Sequence, residues 1–540
     1  MKKIAYVLDG LSISPFDSEE RVFKLAKGKL RSVGISPSDY ELNIYKKSVD
    51  ARKNDDIRLV YSVRVSNIEA RVSDESGFAR LGARKLSDEE LTVSIGVEHS
   101  EYRPLIVGMG PAGLFCALVL AENGYRPIII DRGDCIADRV DSVAKFYEKR
   151  VLDAESNIQF GAGGAGTFSD GKLLTRINDP RCSYVIDTLR RFGAPEEITV
   201  KAKPHIGTDV LRKVVDNILM HIESLGGDVI YRCKLVDIVE NSSHVIAKTT
   251  KGDIACSSLV LALGHSARDT YRMLLERNFS VIAKQISVGV RIEHKRSFIE
   301  DALYGEFAGH PSLGAAEYAL SDTKGERGVY TFCMCPGGEV VAASSEEGGV
   351  VVNGMSHYAR DGENSNSAIA VSVRTEDFES IEGSLALGAI EFQRKIERAA
   401  FENGGRNYSV PVQTVGDFLS GKSGSEPKHV IPTYMNGSFT VASMDDILPE
   451  FVTASLRYGL YSFDKRIKGF AMDGAVLSGA ETRTSSPVRL LRTDDMRAIG
   501  KTNIYPCGEG AGYAGGITSA AVDGIKVALA IASRFSPAIQ

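Results

Sequence analysis

Gly108, Gly110 and Gly113 form a G-x-G-x-x-G run behind an apolar strand, Leu105-Ile106-Val107, and ahead of a helical pattern. A second apolar strand, Ile128-Ile129-Ile130, ends in Asp131, and such an acid about 20 residues past the glycines completes the context of a dinucleotide site. Each position has a physical reason. Gly108 allows the tight turn out of the strand, Gly110 lets backbone approach a pyrophosphate, and Gly113 lets the helix pack closely. Pro111 suits the first helical turn, where its missing N–H is no loss, and Ala112 shares that turn. The helix N-terminus offers free N–H groups and a partial positive charge to phosphate. Asp131 can accept hydrogen bonds from ribose hydroxyls, with Arg132 beside it.

Two further glycine clusters lie far away in the chain. Gly161, Gly163 and Gly166 repeat the spacing as a string. No apolar strand precedes them, and the following Thr167-Phe168-Ser169-Asp170-Gly171-Lys172 does not open a helix. This is a backbone loop against a large flat ligand, or a surface loop, and not a second dinucleotide fold. The other cluster, Gly508 to Gly516, follows the strand pattern Asn503–Cys507 and precedes a long helix from Ile517. Glu509 is placed to hydrogen-bond a ribityl chain, and the helix start at Gly516-Ile517 to face the flavin edge that gains negative charge on reduction. A ligand-free strand–helix turn is the other reading. An adenosine site, a middle glycine loop and a ribityl site together describe FAD extended across one domain.

Several segments look like those of bacterial flavoproteins known as FAD-dependent dehydrogenases, within the wider glutathione-reductase-like FAD superfamily. They are RPLIVGMGPAGLFCALVLAENG, NIQFGAGGAGTFSDGKLLTR, LVLALGHSARDTYRML, VYTFCMCPGG, ETRTSSPVRLLR and YPCGEGAGYAGGITSAAVDGIKVA. The resemblance covers nearly the whole chain. It implies a fold and a cofactor, non-covalent FAD, but no substrate. It also implies that the strand end at Gly264 lies near the adenosine or pyrophosphate, and that Gly164, Ala165, Gly166, Thr167 and Lys172 lie nearer the flavin. The C-x-x-x-x-C of the superfamily's disulfide reductases is missing, because Cys116 stands alone in the first helix.

At 540 residues the chain needs two or three domains. The expected class is α/β with α+β. A small N-terminal α+β domain would span 1–100. A discontinuous, Rossmann-like FAD domain would span 101–279 and 486–540, with a mixed α+β substrate domain inserted at 280–485. In the N-terminal part, strands are expected at 3–8, 40–45 and 57–65 and a helix at 18–33, with Val22, Phe23, Leu25, Ala26 and Leu30 apolar. In KKSVDARKNDD, Lys46, Lys47, Arg52 and Lys53 are a candidate polyanion patch, but the interleaved Asp50, Asp55 and Asp56 favour a solvated loop. Ser73 to Glu90 reads as a polar run, and Val350 to Ile369 as loops. Composition is that of a soluble globular protein, 43% hydrophobic and 25% charged, and the net charge of -5 gives no reason to invoke nucleic acid or an anionic membrane. Met1-Lys2-Lys3 does not open a signal peptide, and Ile517 to Phe535 reads as a buried helix because it carries Asp523, Lys526 and Arg534. Eight cysteines without disulfide or zinc spacing fit a reducing cytoplasm, and no metal site is expected.

A flavin carries the hard chemistry itself, so no catalytic triad is required. Cys333 and Cys335, on one face of a strand, are a candidate redox pair or small core residues. His265 is a candidate proton donor or a hydrogen-bonding loop residue. Arg483 and Arg489 are candidate anchors for a carboxylate or phosphate, or ordinary residues of a structural crossover; Arg291 and His294 are candidate anchors for an anionic substrate, equally explained by a surface strand. The expected activity is an FAD-dependent oxidoreductase acting on an unidentified small organic substrate, with NADH or NADPH as a candidate electron donor. Flavin-dependent RNA modification and a non-catalytic FAD-binding redox sensor are the alternatives.

Overall fold

Strand Leu105–Val107, helix Pro111–Glu122 and strand Ile128–Ile130 fold as the apolar runs require, with every strand residue buried. The computed structural model describes residues 5–67, 75–86, 91–99, 101–241, 243–422 and 424–538. The fold is mixed α/β. The chain divides into two units: one of Met1–Leu91 with Ala194–His205 and Ser297–Ala316, the other of the remaining residues.

The first unit carries a four-stranded antiparallel sheet in the order Tyr40–Asp50, Arg58–Asn67, Ala5–Ile13, Arg84–Leu86. Helix Glu19–Ser32 buries Val22, Ala26 and Leu30. Leu25, expected on that apolar face, is 39% exposed. Lys46 and Lys47 are not in a loop: strand Tyr40–Asp50 runs through them and pairs to its end with Arg58–Asn67. Cross-strand hydrogen bonding outweighs the local charge density that suggested a loop. The polar run after Ser73 contains a short helix, Glu75–Arg80, and strand Arg84–Leu86, while 73–74 and 87–90 lie outside the described residues.

The second unit holds a five-stranded sheet, all parallel, in the order Ile504–Pro506, Leu259–Leu261, Leu105–Val107, Ile128–Ile130, Asp228–Ile230. Its last strand in sequence, Ile504–Pro506, therefore pairs with Leu259–Leu261 from much earlier in the chain, which itself pairs with Leu105–Val107. Helix Pro111–Glu122 is buried from Ala112 to Ala121, so it needs apolar residues all round rather than one stripe. It packs on helix Ile517–Arg534, also largely buried. No helix among the described residues is long and apolar enough to cross a membrane.

The other large sheet of this unit has seven strands, with Ile286–Lys295 in the middle between Asn364–Val373 and Val476–Glu481. Asn364–Val373 and Val352–Met355 replace the loops expected from their Asn, Ser and Gly content. The polar side chains are buried but bonded: Asn364 Nδ2 donates to Glu293 at 3.0 Å, and Ser367 meets the Tyr318 hydroxyl at 2.9 Å. Partnered polar groups tolerate a sheet interior, so composition misleads here.

Where the two buried helices cross, a Cβ on Gly524 would overlap the carbonyl oxygen of Ala112. Gly524→Val should lower stability by about 1–3 kcal/mol in denaturant unfolding, as overpacking does. An unchanged midpoint would mean that this helix crossing is not tight in solution.

Candidate cofactor and active site

The Asp131 carboxylate organises the first glycine turn. Its Oδ2 accepts from Met109 N and its Oδ1 from Gly133 N and Gly161 N, each at 2.9 Å. Sequence reasoning aimed this acid at ribose hydroxyls alone. Three of its roughly four acceptor directions are instead taken by backbone. They tie the first turn, the strand end and the second glycine loop together.

That second loop is a short 3-10 turn, Gly164–Phe168, and not a helix. Gly164 has φ +64°, and a Cβ there would sit 2.9 Å from Gly110 Cα, so the two glycine loops meet backbone to backbone. Arg139, wholly buried, fastens the loop. It donates to the carbonyls of Asn157, Ala162 and Ile158 and to Thr167 Oγ1, all at 2.7 Å. Thr167 is thereby held by the protein itself. The Phe168 ring lies between Arg139, 4.6 Å from its centroid, and Arg212, at 4.2 Å.

The third cluster arrives from the C-terminus. Asp523 accepts from Gly508 N at 2.7 Å and is held by Arg492 at 2.6 and 2.9 Å. Gly510 abuts Gly264, and Tyr271 donates to the carbonyls of both, at 2.9 and 2.7 Å. A Cβ on Gly166 would lie 3.3 Å from Ile517 and 3.8 Å from Pro111. The starts of both buried helices, capped by Gly110 and Gly516, therefore meet at the second loop, which carries Ala165 between its last two glycines.

This arrangement fits an extended dinucleotide. Ideal Cβ atoms on Gly515 and Gly516 meet nothing within 4 Å, which leaves room before a helix N-terminus. Beside Asp131 a partly open pocket is walled by Val107, Leu235, Leu263 and Phe160, with Arg132 and Lys234 also lining it. Apolar walls with a few charged groups suit an adenosine. Arg132 bonds Glu155 at 2.6 Å and Asp269 at 3.0 Å, and lies over the Phe160 ring. Half-buried Glu509 has its carboxyl pushed up to about 7 by burial, against the opposing pull of Lys284.

The candidates for chemistry separate clearly. Arg483 is already engaged: it donates to Glu397 at 2.9 and 3.1 Å and to Ser266 at 3.1 Å. Arg268 clamps the same carboxylate at 2.7 and 2.8 Å. Arg483 is thus a buried structural cation and not a free substrate anchor. Arg489 donates to Gly512 O at 3.0 Å and braces the C-terminal cluster. Arg291 and His294 are buried in the central strand, not on a surface strand. Arg291 forms a fork on Glu481 at 2.6 and 2.9 Å, and His294 Nε2 meets Phe470 O at 2.7 Å. His265 sits beside Ser266 Oγ at 3.0 Å; burial, with Arg483 and Arg268 nearby, holds its imidazole down to about 3. It is neutral near pH 7, which suits an acceptor and not a proton donor.

Cys333 and Cys335 do not alternate as in a regular strand. Pairing shifts between Phe332 and Cys335, and Cys333 has φ 44°. The neighbouring Cys335, then Arg291 and Lys172, draw the Cys333 thiol down against burial, while Cys335 is pushed up by Cys333 and by burial. The Lys172 ammonium bonds Met334 O, while Asp170 lies 3.7 Å away.

Sequence reasoning missed Arg139, Lys234, Asp269, Glu397, Arg492 and, as a positioning group, Asp523. The parallel-sheet context could have flagged Arg139 as a cation inside an amphipathic helix. The others act across long sequence separations that no local pattern records.

A family model described as FAD-dependent protein, C-terminal domain-like, matches residues 285–484. An uncharacterised protein of Clostridium beijerinckii is 47% identical over 519 residues, covering 95% of this chain and 96% of its own. This chain belongs with it to a family of FAD-dependent proteins. Among solved structures, CtdE in complex with FAD is 11% identical over 80% of this chain and 84% of that one, with TM-score 0.32. Halogenase PltM is 12% identical over 80% and 67%, with TM-score 0.37. Glycine oxidase from Geobacillus kaustophilus is 12% identical over 80% and 93%, with TM-score 0.32. At these TM-scores the likenesses carry no argument about this chain.

Two outcomes follow from the geometry. Asp131→Asn sets an amide N–H₂ against backbone donors and should cost about 1–3 kcal/mol in denaturant unfolding; no loss would mean the three bonds do not persist. Glu509 has a folded value raised above its unfolded value of about 4.3. Its contribution to stability is therefore full below about 4.3 and is lost as pH rises through about 7. Melting curves of flavin-free protein should show wild type losing stability relative to Glu509→Gln across that window. Parallel pH profiles would remove burial as the cause.

Proposed function

We propose that this protein is an FAD-dependent oxidoreductase acting on a small organic substrate, with non-covalent FAD held by the discontinuous, glutathione-reductase-like domain built on the parallel sheet. The observation that carries the reading is the meeting of three glycine loops at two buried helix starts, beside an apolar pocket that contains Asp131. Gly108, Gly110, Pro111, Ala112 and Gly113 would hold the pyrophosphate, and Asp131, Arg132 and Gly264 the adenosine side. Gly163, Gly164, Ala165, Gly166, Thr167 and Lys172 would line the middle. Gly508, Glu509, Gly516 and Ile517 would hold the ribityl chain and the flavin edge.

Bound FAD supplies transfer of electrons, singly or in pairs, through its ring. The protein's part is to orient the ring and exclude water. Glu509, its carboxyl raised by burial to about 7, is partly protonated near neutral pH and can then donate as well as accept a hydrogen bond. Ion pairs in the first unit, Lys47 with Glu19 at 3.2 Å and Arg52 with Asp50 at 2.6 Å, support a solvated hairpin over a polyanion-binding patch. Eight cysteines, all free, support a reducing compartment such as the cytoplasm.

The test is anaerobic titration of the purified yellow protein with NADH and then NADPH. Bleaching by either identifies a pyridine-nucleotide donor and a reductase. No bleaching by either directs the search to organic substrates that reduce the flavin themselves. A colourless protein that cannot be reconstituted with FAD would sink the reading.

A further inference from the structure

In an unbroken strand, residues two apart are separated by roughly 6.6 Å, the far limit of what a disulfide spans. At Cys333 the strand is broken. The backbone turns left-handed there, and the pairing of Val329–Cys335 with Asn364–Val373 shifts by the length of the bulge. The chain there departs from that extended spacing. Cys335 Sγ already lies 3.2 Å from Cys333 O.

Other strands hold this bulge in place. Arg291 Nη1 donates to Cys333 O at 3.1 Å and lies 3.9 Å from Cys335 Sγ. The Lys172 ammonium holds Met334 O between them. The acids nearby are engaged: Glu481 by Arg291, Asp170 by Arg360 and Lys172, and Glu317 by Arg360 at 2.6 Å. A bulge wired through two cations is a built feature, since a pair of small core residues would sit in a regular strand equally well. The same segment reaches the cofactor loops. Lys172 follows the second glycine loop, and Thr518, in the first turn of the helix capped by Gly516, donates to Leu173 O at 2.7 Å.

We propose that Cys333 and Cys335 are a dithiol–disulfide couple that exchanges an electron pair with the FAD of this protein, a role that rests on the cofactor reading above. On oxidation both S–H bonds break and one Sγ–Sγ bond forms. The electron pair and the two protons pass to FAD, which is left in its two-electron-reduced form; the reverse direction reopens the disulfide.

The test counts electrons. Anaerobic dithionite titration of holoprotein first oxidised with diamide and freed of the reagent should take up one electron pair more per flavin in wild type than in Cys333→Ser or Cys335→Ser. Wild-type protein treated with diamide, alkylated and digested should yield one peptide with Cys333 and Cys335 joined, and separately alkylated cysteines after reduction. Equal uptake by wild type and variants, or cysteines still separately alkylated after diamide, overturns the couple and leaves a yellow protein with its FAD reading intact. A protein that holds no flavin shows this in its visible spectrum before any titration, and the couple then falls with the cofactor.

Discussion

The Asp131 carboxylate is the constraint on which the cofactor end depends. It is buried, and its acceptors are filled by N–H groups from three separate turns, at Met109, Gly133 and Gly161. A carboxylate that accepts several backbone donors is a strong local organiser, because each bond is charge-assisted. The second glycine loop has no secondary structure beyond its 3-10 turn, so Asp131 and Arg139 together supply what a helix or strand would otherwise supply. Asp523 does the same for the C-terminal turn, with Arg492 balancing its charge. Two acids of one kind thus brace two glycine turns of one kind.

Local patterns carried much of this into the sequence. The parallel strands, the first helix and the buried C-terminal helix each announce themselves through apolar runs bounded by glycine or proline. The N-terminal helix does so through Val22, Ala26 and Leu30. Signals failed where polar residues are buried in pairs. Asn364 to Ser367 look like a loop, yet they line a sheet interior because Glu293, Arg291 and Tyr318 reach them from elements far away in the chain. Lys46 and Lys47 look like a loop for the related reason that a strand's cross-chain bonds leave no trace in its own composition.

The site residues divide along the same line. Glycines are legible because their reasons are local, a turn or a close approach. Arginines are not, since Arg291, Arg483 and Arg489 are each defined by the acceptor they meet. Read singly, they suggest anchors for an anionic ligand. In the fold they are consumed by Glu481, Glu397 and a Gly512 carbonyl. The cysteine bulge lies between these cases: the C-x-C spacing is visible, but the left-handed residue that breaks the strand there is not.

Glu397 has one further consequence. Its carboxylate, 2% exposed, is gripped by Arg268 from the start of one helix and by Arg483 from the crossover that follows strand Val476–Glu481, with Thr482 adding a hydroxyl at 2.7 Å. Pulling Glu397 away would leave the buried Arg483 guanidinium without its ion-pair partner, a state that costs roughly 3–5 kcal/mol. The helix and the crossover are therefore welded rather than hinged. Relative movement of the two would have to break the cluster first, so they travel as one piece.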